Sequence, residues 1–182
     1  MAKRMAILFL LVTVTGCSST FYKYPNQIRL AVYQRGCLDV QDASTADGAR
    51  VQYYACGEGK RSQEWQITPA QSVAQVQIMN MNSQKCMAVA DDPTTGGVNT
   101  PGEPVVQEIC QPIGSAPAQL WRIVPATDGT PGDQIINAAS GECLDLPYGA
   151  IASIFLMQQF TCTPGDPAQG WTVNPVQLGN IP

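Results

Sequence analysis

At 182 residues, with 45% hydrophobic and 13% charged side chains, the chain can build one domain with a core of its own. Lys and Arg number 10 against 14 Asp and Glu, a net charge of −4, so the chain lacks the basic stripe that nucleic-acid phosphates or anionic lipid headgroups require. No His occurs, which removes Ser/His/Asp, Cys/His and His–metal chemistry.

Lys3 and Arg4 precede an apolar run over residues 5–14, which passes into Val14-Thr15-Gly16-Cys17. The run is too short for a permanent bilayer span. Its charged start and small-residue end read as a signal peptide over residues 1–16. The junction resembles a bacterial lipobox, which implies cleavage before Cys17 and acylation of that Cys. Ser18 in the next place points to the outer membrane of the cell envelope, with the periplasmic and exterior faces both open. Loss of Lys3 and Arg4 leaves the mature chain more acidic still, so membrane attachment is expected through the N-terminal lipid on Cys17. Residues 17–26 read as the lipidated Cys and a short tether.

Three segments then repeat one pattern: Cys-apolar-x-apolar, a second Cys, and Gln-x-Trp. The first holds Cys37, Cys56 and Gln63-Glu64-Trp65; the second Cys86, Cys110 and Gln119-Leu120-Trp121; the third Cys143, Cys162 and Gln169-Gly170-Trp171. Units of about 50 residues are too small to bury a core alone, so the three are expected to pack together. Residues 28–33 alternate as a strand does, followed by a turn at Gln34-Arg35-Gly36. Residues 75–78 alternate until Met79 and Asn80 break the period, with a turn at Ser83-Gln84-Lys85. Residues 133–137 are the third counterpart, with a turn at Ser140-Gly141-Glu142. Fourteen Pro and sixteen Gly punctuate the rest, and no segment sustains a helical apolar period. The pattern predicts an all-β, barrel-like fold.

Of the seven Cys, one stands at the lipobox and two in each repeat. An exported chain meets an oxidising compartment, where such pairs close. Six Cys allow about 15 pairings, and the repeat symmetry selects Cys37–Cys56, Cys86–Cys110 and Cys143–Cys162. No CxxC occurs and no glycine-rich phosphate loop follows a strand, so neither a metal site nor a cofactor is expected. Asp91-Asp92 reads as a solvated acidic pair, and no catalytic constellation is found.

Three Gln-x-Trp motifs, three Cys pairs and two Cys-Leu-Asp runs at matching places resemble the ricin-type β-trefoil lectins over residues 27–175. The resemblance implies a β-trefoil over residues 27–182, a six-stranded barrel capped by three hairpins, with repeats at about 27–71, 72–126 and 127–176. It places Trp65, Trp121 and Trp171 in the shared core and gives Gln63, Gln119 and Gln169 to backbone hydrogen bonds rather than to a sugar.

The same resemblance implies where a glycan binds. An Asp two residues after the first Cys accepts bonds from adjacent sugar hydroxyls. A Gln thirteen residues on supports that Asp, and an aromatic two beyond stacks on the pyranose. Repeat 1 supplies Asp39, Gln52 and Tyr54; repeat 3 supplies Asp145, Gln158 and Phe160. Repeat 2 has Ala88, Val106 and Glu108 there, with a longer connection over residues 91–104, and its site reads as dead. The Asn that precedes Gln-x-Trp in galactose-binding members is Ser62, Ala118 or Ala168 here, leaving a weak donor in repeat 1 alone.

Residues 149–157 are apolar where the lectin pattern has a polar loop. Ile151, Ile154 and Phe155 either form a patch for a protein partner or fill the barrel mouth. Two functions follow as expectations. One is a lipid-anchored lectin for galactose-type or related glycans, acting through repeat 1 and secondarily repeat 3. The other is a non-catalytic protein-interaction or toxin-delivery subunit. For the second, size, lipobox and the Trp171–Pro175 tail more distantly resemble the binding subunits of cytolethal distending toxins.

Overall fold

The computed structural model describes residues 25–70, 74–91, 94, 96–147 and 154–175. The expected leader, Cys17 and the expected tether up to residue 24 lie outside the described residues, as does Ile151. Among the described residues regular structure is all strand, apart from short 3-10 turns.

Six strands close a barrel: β1 (Asn26–Leu30), β4 (Trp65–Pro69), β5 (Val76–Asn80), β8 (Leu120–Pro125), β9 (Asp133–Asn137) and β13 (Trp171–Pro175). Each pairs antiparallel with the next, and β13 returns to β1. Closure leaves the barrel no free edge. Three hairpins cap one end: β2 (Tyr33–Val40) with β3 (Val51–Ala55), β6 (Cys86–Val89) with β7 (Val105–Glu108), and β10 (Cys143–Asp145) with β12 (Gln158–Phe160). Each repeat thus gives two barrel strands and one hairpin, which is the expected β-trefoil.

One apolar core joins barrel and cap. Trp65, Trp121 and Trp171 are each 0% exposed. Their indole Nε1 atoms donate to the carbonyls of Leu38 (3.1 Å), Met87 (2.9 Å) and Leu144 (3.1 Å). In every repeat the acceptor is the residue after the first Cys, so the Trp of a barrel strand holds its own repeat's hairpin. The disulfides Cys37–Cys56, Cys86–Cys110 and Cys143–Cys162 clasp the same hairpins, with Cα–Cα distances of 5.1, 4.9 and 5.1 Å.

The cap is knitted by side chains that periodicity does not reveal. The Gln107 amide donates to the carbonyls of Ser44 and Ala46, both at 2.9 Å, and accepts from Ser83 Oγ. The Gln159 amide donates to the carbonyls of Val98 and Thr100 and accepts from Ser140 Oγ. Each thereby ties the preceding repeat's loop to its own hairpin. Repeat 1 has Tyr53 in that place, its hydroxyl donating to the Tyr33 carbonyl at 3.2 Å. A Cβ on Gly36 would stand 1.9 Å from the Tyr53 ring, so the ring requires glycine there.

Two sequence expectations shift. The first strand ends at Leu30, the turn falls at Ala31 and Val32, and Gln34-Arg35-Gly36 lie within β2. The Gln34 amide causes this by donating to the carbonyls of Leu30 and Ala31, both at 3.0 Å, which closes the tighter turn. Asn80 does not break β5 but completes it. Its Nδ2 donates to the Ser62 carbonyl at 2.8 Å and its Oδ1 accepts from the Asn82 and Ser83 amides, and Asn137 does the same work at the end of β9. The apolar run of repeat 3 gives a further strand, β11 (Ile154–Leu156), antiparallel to β3. Phe155 is half-buried against the core and Met157 is fully buried, while Leu156 is exposed.

Replacing any one of the three Trp by Ala is expected to destabilise the fold by about 3–5 kcal/mol in urea unfolding. Trp65→Phe keeps much of the packing but leaves the Leu38 carbonyl without its donor, at a cost of about 1–3 kcal/mol.

Candidate glycan sites

Antiparallel register builds the first pocket. On the β2–β3 hairpin Asp39 stands opposite Gln52 and Cys37 opposite Tyr54. Asp39 is 6% exposed. Its Oδ2 accepts from Gln52 Nε2 (3.3 Å) and from Gln63 Nε2 (3.4 Å), whereas its Oδ1 is buried without a partner. Gln63 is fixed in turn, donating to the Ala55 carbonyl at 3.0 Å and accepting from the Gly57 amide at 2.9 Å. The backbone bonds expected of this Gln are present. It also orients Asp39, a second role that the sequence signalled only through the matching separations of Asp39 from Gln63 and Asp145 from Gln169.

A pocket of about 580 Å³ opens above Asp39. Gln52, Tyr54 and Ser62 line it, together with Lys60, Arg61 and Asn82, which sequence reasoning missed. Ser62 is buried in the 3-10 turn Arg61–Gln63 and lines the same pocket. Lys60 Nζ stands 5.2 Å from the centroid of the Tyr54 ring. The combination offers a carboxylate for paired hydroxyls and a ring for an apolar face.

Repeat 3 reproduces the frame with different chemistry. Asp145 stands opposite Gln158, and Cys143 opposite Phe160. Asp145 Oδ1 accepts from Gln158 Nε2 (2.7 Å) and Oδ2 from Gln169 Nε2 (3.1 Å), so each carboxylate oxygen already has a donor. Phe160 is 43% exposed. The pocket is smaller, about 370 Å³, and Pro147, Asp166 and Ala168 line it. Burial pushes the Asp145 carboxyl above the usual carboxylate range; the two amide donors oppose that rise and the Asp166 carboxylate adds to it.

Repeat 2 places Ala88 opposite Val106 and Cys86 opposite Glu108. Ala88 and Val106 are buried, so no carboxylate meets an amide there. Burial also raises the Glu108 carboxyl, against the opposing bond to Gln119. Gln119 keeps its structural bonds, to the Ile109 carbonyl and from the Gln111 amide, accepts from the Gln77 side-chain amide at 3.5 Å, and meets Glu108 where its counterparts meet an Asp. Among the described residues no group of three or more His, Cys, Asp or Glu could hold a metal ion.

A closed barrel with three hairpin caps, three buried Gln-x-Trp motifs and two carboxylate–amide–aromatic pockets defines a lectin-type trefoil. A family profile described as ricin-type beta-trefoil lectin domain-like matches residues 26–107, 74–154 and 118–181, and the chain belongs to that family. The designed threefold-symmetric protein ThreeFoil is similar, with a TM-score of 0.71 and 22% identity, over 84% of this chain and 99% of that one. A Polyporus squamosus lectin, bound to the human-type influenza-binding epitope Neu5Acα2-6Galβ1-4GlcNAc, gives 0.67 at 16% identity over 84% of this chain and 49% of its own. A chain of the Haemophilus ducreyi cytolethal distending toxin gives 0.65 at 14% identity, over 97% of this chain and 91% of that one. At such identities the likeness is one of fold. No curated protein matches the chain by sequence.

A raised folded pKa means that ionised Asp145 weakens the fold above that pKa, and the penalty is relieved as pH falls through it. The stability of Asp145→Asn relative to the wild type is therefore expected to be more favourable at about pH 7 than at about pH 4 in urea unfolding. A difference independent of pH would show that burial does not perturb this carboxyl.

Proposed function

We propose that the protein is a non-catalytic carbohydrate-binding protein of the cell envelope, anchored by a lipid on Cys17. Repeat 1 is its primary glycan site and repeat 3 its second. The observation that carries this reading is the Asp39 carboxylate, which lines an open pocket beside Tyr54 and has one oxygen, Oδ1, buried without a partner. A buried acceptor without a donor costs free energy, and a sugar hydroxyl supplies the missing donor. Gln52 and Gln63 hold the carboxylate from one side, leaving the other for adjacent hydroxyls of a galactose-type ring. Tyr54 covers the ring's C–H face, and Ser62 adds a weak donor. In repeat 3, Asp145, Gln158 and Phe160 take the same roles with both carboxylate oxygens already engaged, which makes it the weaker site.

The similarity to the cytolethal distending toxin chain, which spans nearly the whole length of both proteins, favours a second reading. In it the trefoil serves as a protein-interaction or toxin-delivery subunit. The two readings part on whether a glycan alone is bound.

Shallow single sites of this kind bind at roughly millimolar Kd, near −4 kcal/mol, so the test displays the protein multivalently on a glycan array. Binding is expected for the wild type, to be abolished by Asp39→Ala and to be weakened by Asp145→Ala. If the wild type and both variants fold and none binds a glycan, the carbohydrate reading is wrong and the protein-interaction reading takes its place.

A further inference from the structure

The two retained pockets share a frame but not a charge. The 3-10 turns that close them are equivalent: Arg61–Gln63 in repeat 1, Pro117–Gln119 in repeat 2 and Pro167–Gln169 in repeat 3. The residue before each turn and the first residue within it are Lys60-Arg61, Ala116-Pro117 and Asp166-Pro167. Lys60 and Arg61 both line the repeat 1 pocket, and Asp166 lines that of repeat 3, where no cation does. Register for register, a pair of cations at one pocket faces a carboxylate at the other.

Among the described residues neither cation has an ion-pair partner; the one ion pair there is Lys85–Asp47 at 3.2 Å. Asp42 shares the repeat 1 rim without pairing to either cation. Arg61 is held in place by one donor, Nη2 to the Met81 carbonyl at 2.9 Å, which leaves the rest of its planar fork unused. Lys60 rests over the Tyr54 ring at 5.2 Å, a weak contact at an exposed site. A pyranose stacking on Tyr54 displaces that ammonium to the rim beside the sugar. A neutral sugar gives it nothing in return, whereas a carboxylate or sulfate on the sugar replaces the lost ring contact with a charge-assisted bond. In repeat 3 the Asp166 carboxylate, whose Oδ1 accepts from the Ala168 amide at 2.9 Å, stands where the cations would be and repels an anion.

We infer that the repeat 1 pocket selects a glycan bearing an anionic substituent, a carboxylate or a sulfate, met by Lys60 and Arg61, and that the repeat 3 pocket takes a neutral one. The inference rests on the carbohydrate reading proposed above and deepens it. The two sites are then not duplicates but readers of different residues on one glycan.

The test uses full-length protein carrying Asp145→Ala, so that repeat 1 alone reports. It is measured by interferometry against three multivalent probes on one linker, ending in galactose, galactose sulfate and galacturonic acid. At least one anionic probe is expected to bind about fivefold more tightly than the neutral one, with the margin shrinking in high salt. Preference for the sulfate or for the uronic acid identifies which anion is read. Adding Lys60→Ala is expected to weaken the anionic probe about threefold while leaving the neutral probe equal or tighter, because the ring is uncovered. Arg61→Ala weakens the anionic probe alone. Equal binding of all three probes, or a Lys60→Ala gain shared by all three, overturns the inference and leaves the carbohydrate reading standing. Failure of every probe to bind overturns both.

Discussion

Everything else in this fold depends on one contact made three times, an indole N–H donating to the carbonyl that follows the first Cys of its repeat. The Trp belongs to the barrel wall and the carbonyl to the capping hairpin. The bond therefore fixes how each hairpin sits on the barrel, inside a core where an unmet donor or acceptor is costly. The residue after that carbonyl is the pocket position: Asp39, Ala88 or Asp145. Two residues before the Trp stands the Gln that reaches the same pocket position in repeats 1 and 3. One tripeptide thus sets the core with its Trp and, in repeats 1 and 3, orients the pocket carboxylate with its Gln. The site inherits its rigidity from the core rather than from its loops.

Repeat 2 separates what the fold needs from what the pocket needs. Its Trp121 and Gln119 make the same backbone bonds as their counterparts, yet Ala88 fills the place of the Asp and the strand register is unchanged. The scaffold therefore has no use for a carboxylate at that position. Asp39 and Asp145 are buried carboxylates that the barrel could do without, and taking a carboxylate out of water costs free energy. Such a cost, present in two repeats and absent in the third, is characteristic of a site rather than of a scaffold.

The parts of this architecture that were legible in the sequence are those carried by spacing. The repeat unit and the Cys pairing follow from fixed intervals along the chain, and the Asp39–Gln52–Tyr54 and Asp145–Gln158–Phe160 sets from the resemblance to the lectin family, whose motif they match at equal intervals. Antiparallel register converts those intervals directly into neighbours. The unread parts depend on contacts between distant segments. Gln107 and Gln159 hold loops about 60 residues away, through backbone carbonyls that carry no sequence signal. The Gln34 amide moved a turn by capping two carbonyls upstream of itself. The pairing of β11 with β3 joins repeat 3 to repeat 1 across the cap, and no local pattern announces it. Lys60 and Arg61 read as an ordinary charged turn until the fold set them on the rim of a pocket.

The β11 pairing also changes how the two carboxylate pockets relate. Ile154 stands opposite Tyr54 and Leu156 opposite Gln52, so the edge of the repeat 1 hairpin is laddered to the segment that leads into Gln158 and Phe160. The repeat 2 hairpin meets its neighbours at the cap through two isolated bridges, Arg50 to Val106 and Pro104 to Gln158, and through the Gln107 and Gln159 amides, without a strand ladder. A backbone ladder holds the two pockets at one separation and in one relative orientation. Two weak sites at a fixed spacing gain from each other only when a ligand presents its residues at that spacing. Their selectivity then lies as much in the ladder between them as in either pocket. On the proposed carbohydrate reading, a branched or extended glycan with the right interval would be bound far more tightly than its parts, and one with the wrong interval would gain nothing from the second site.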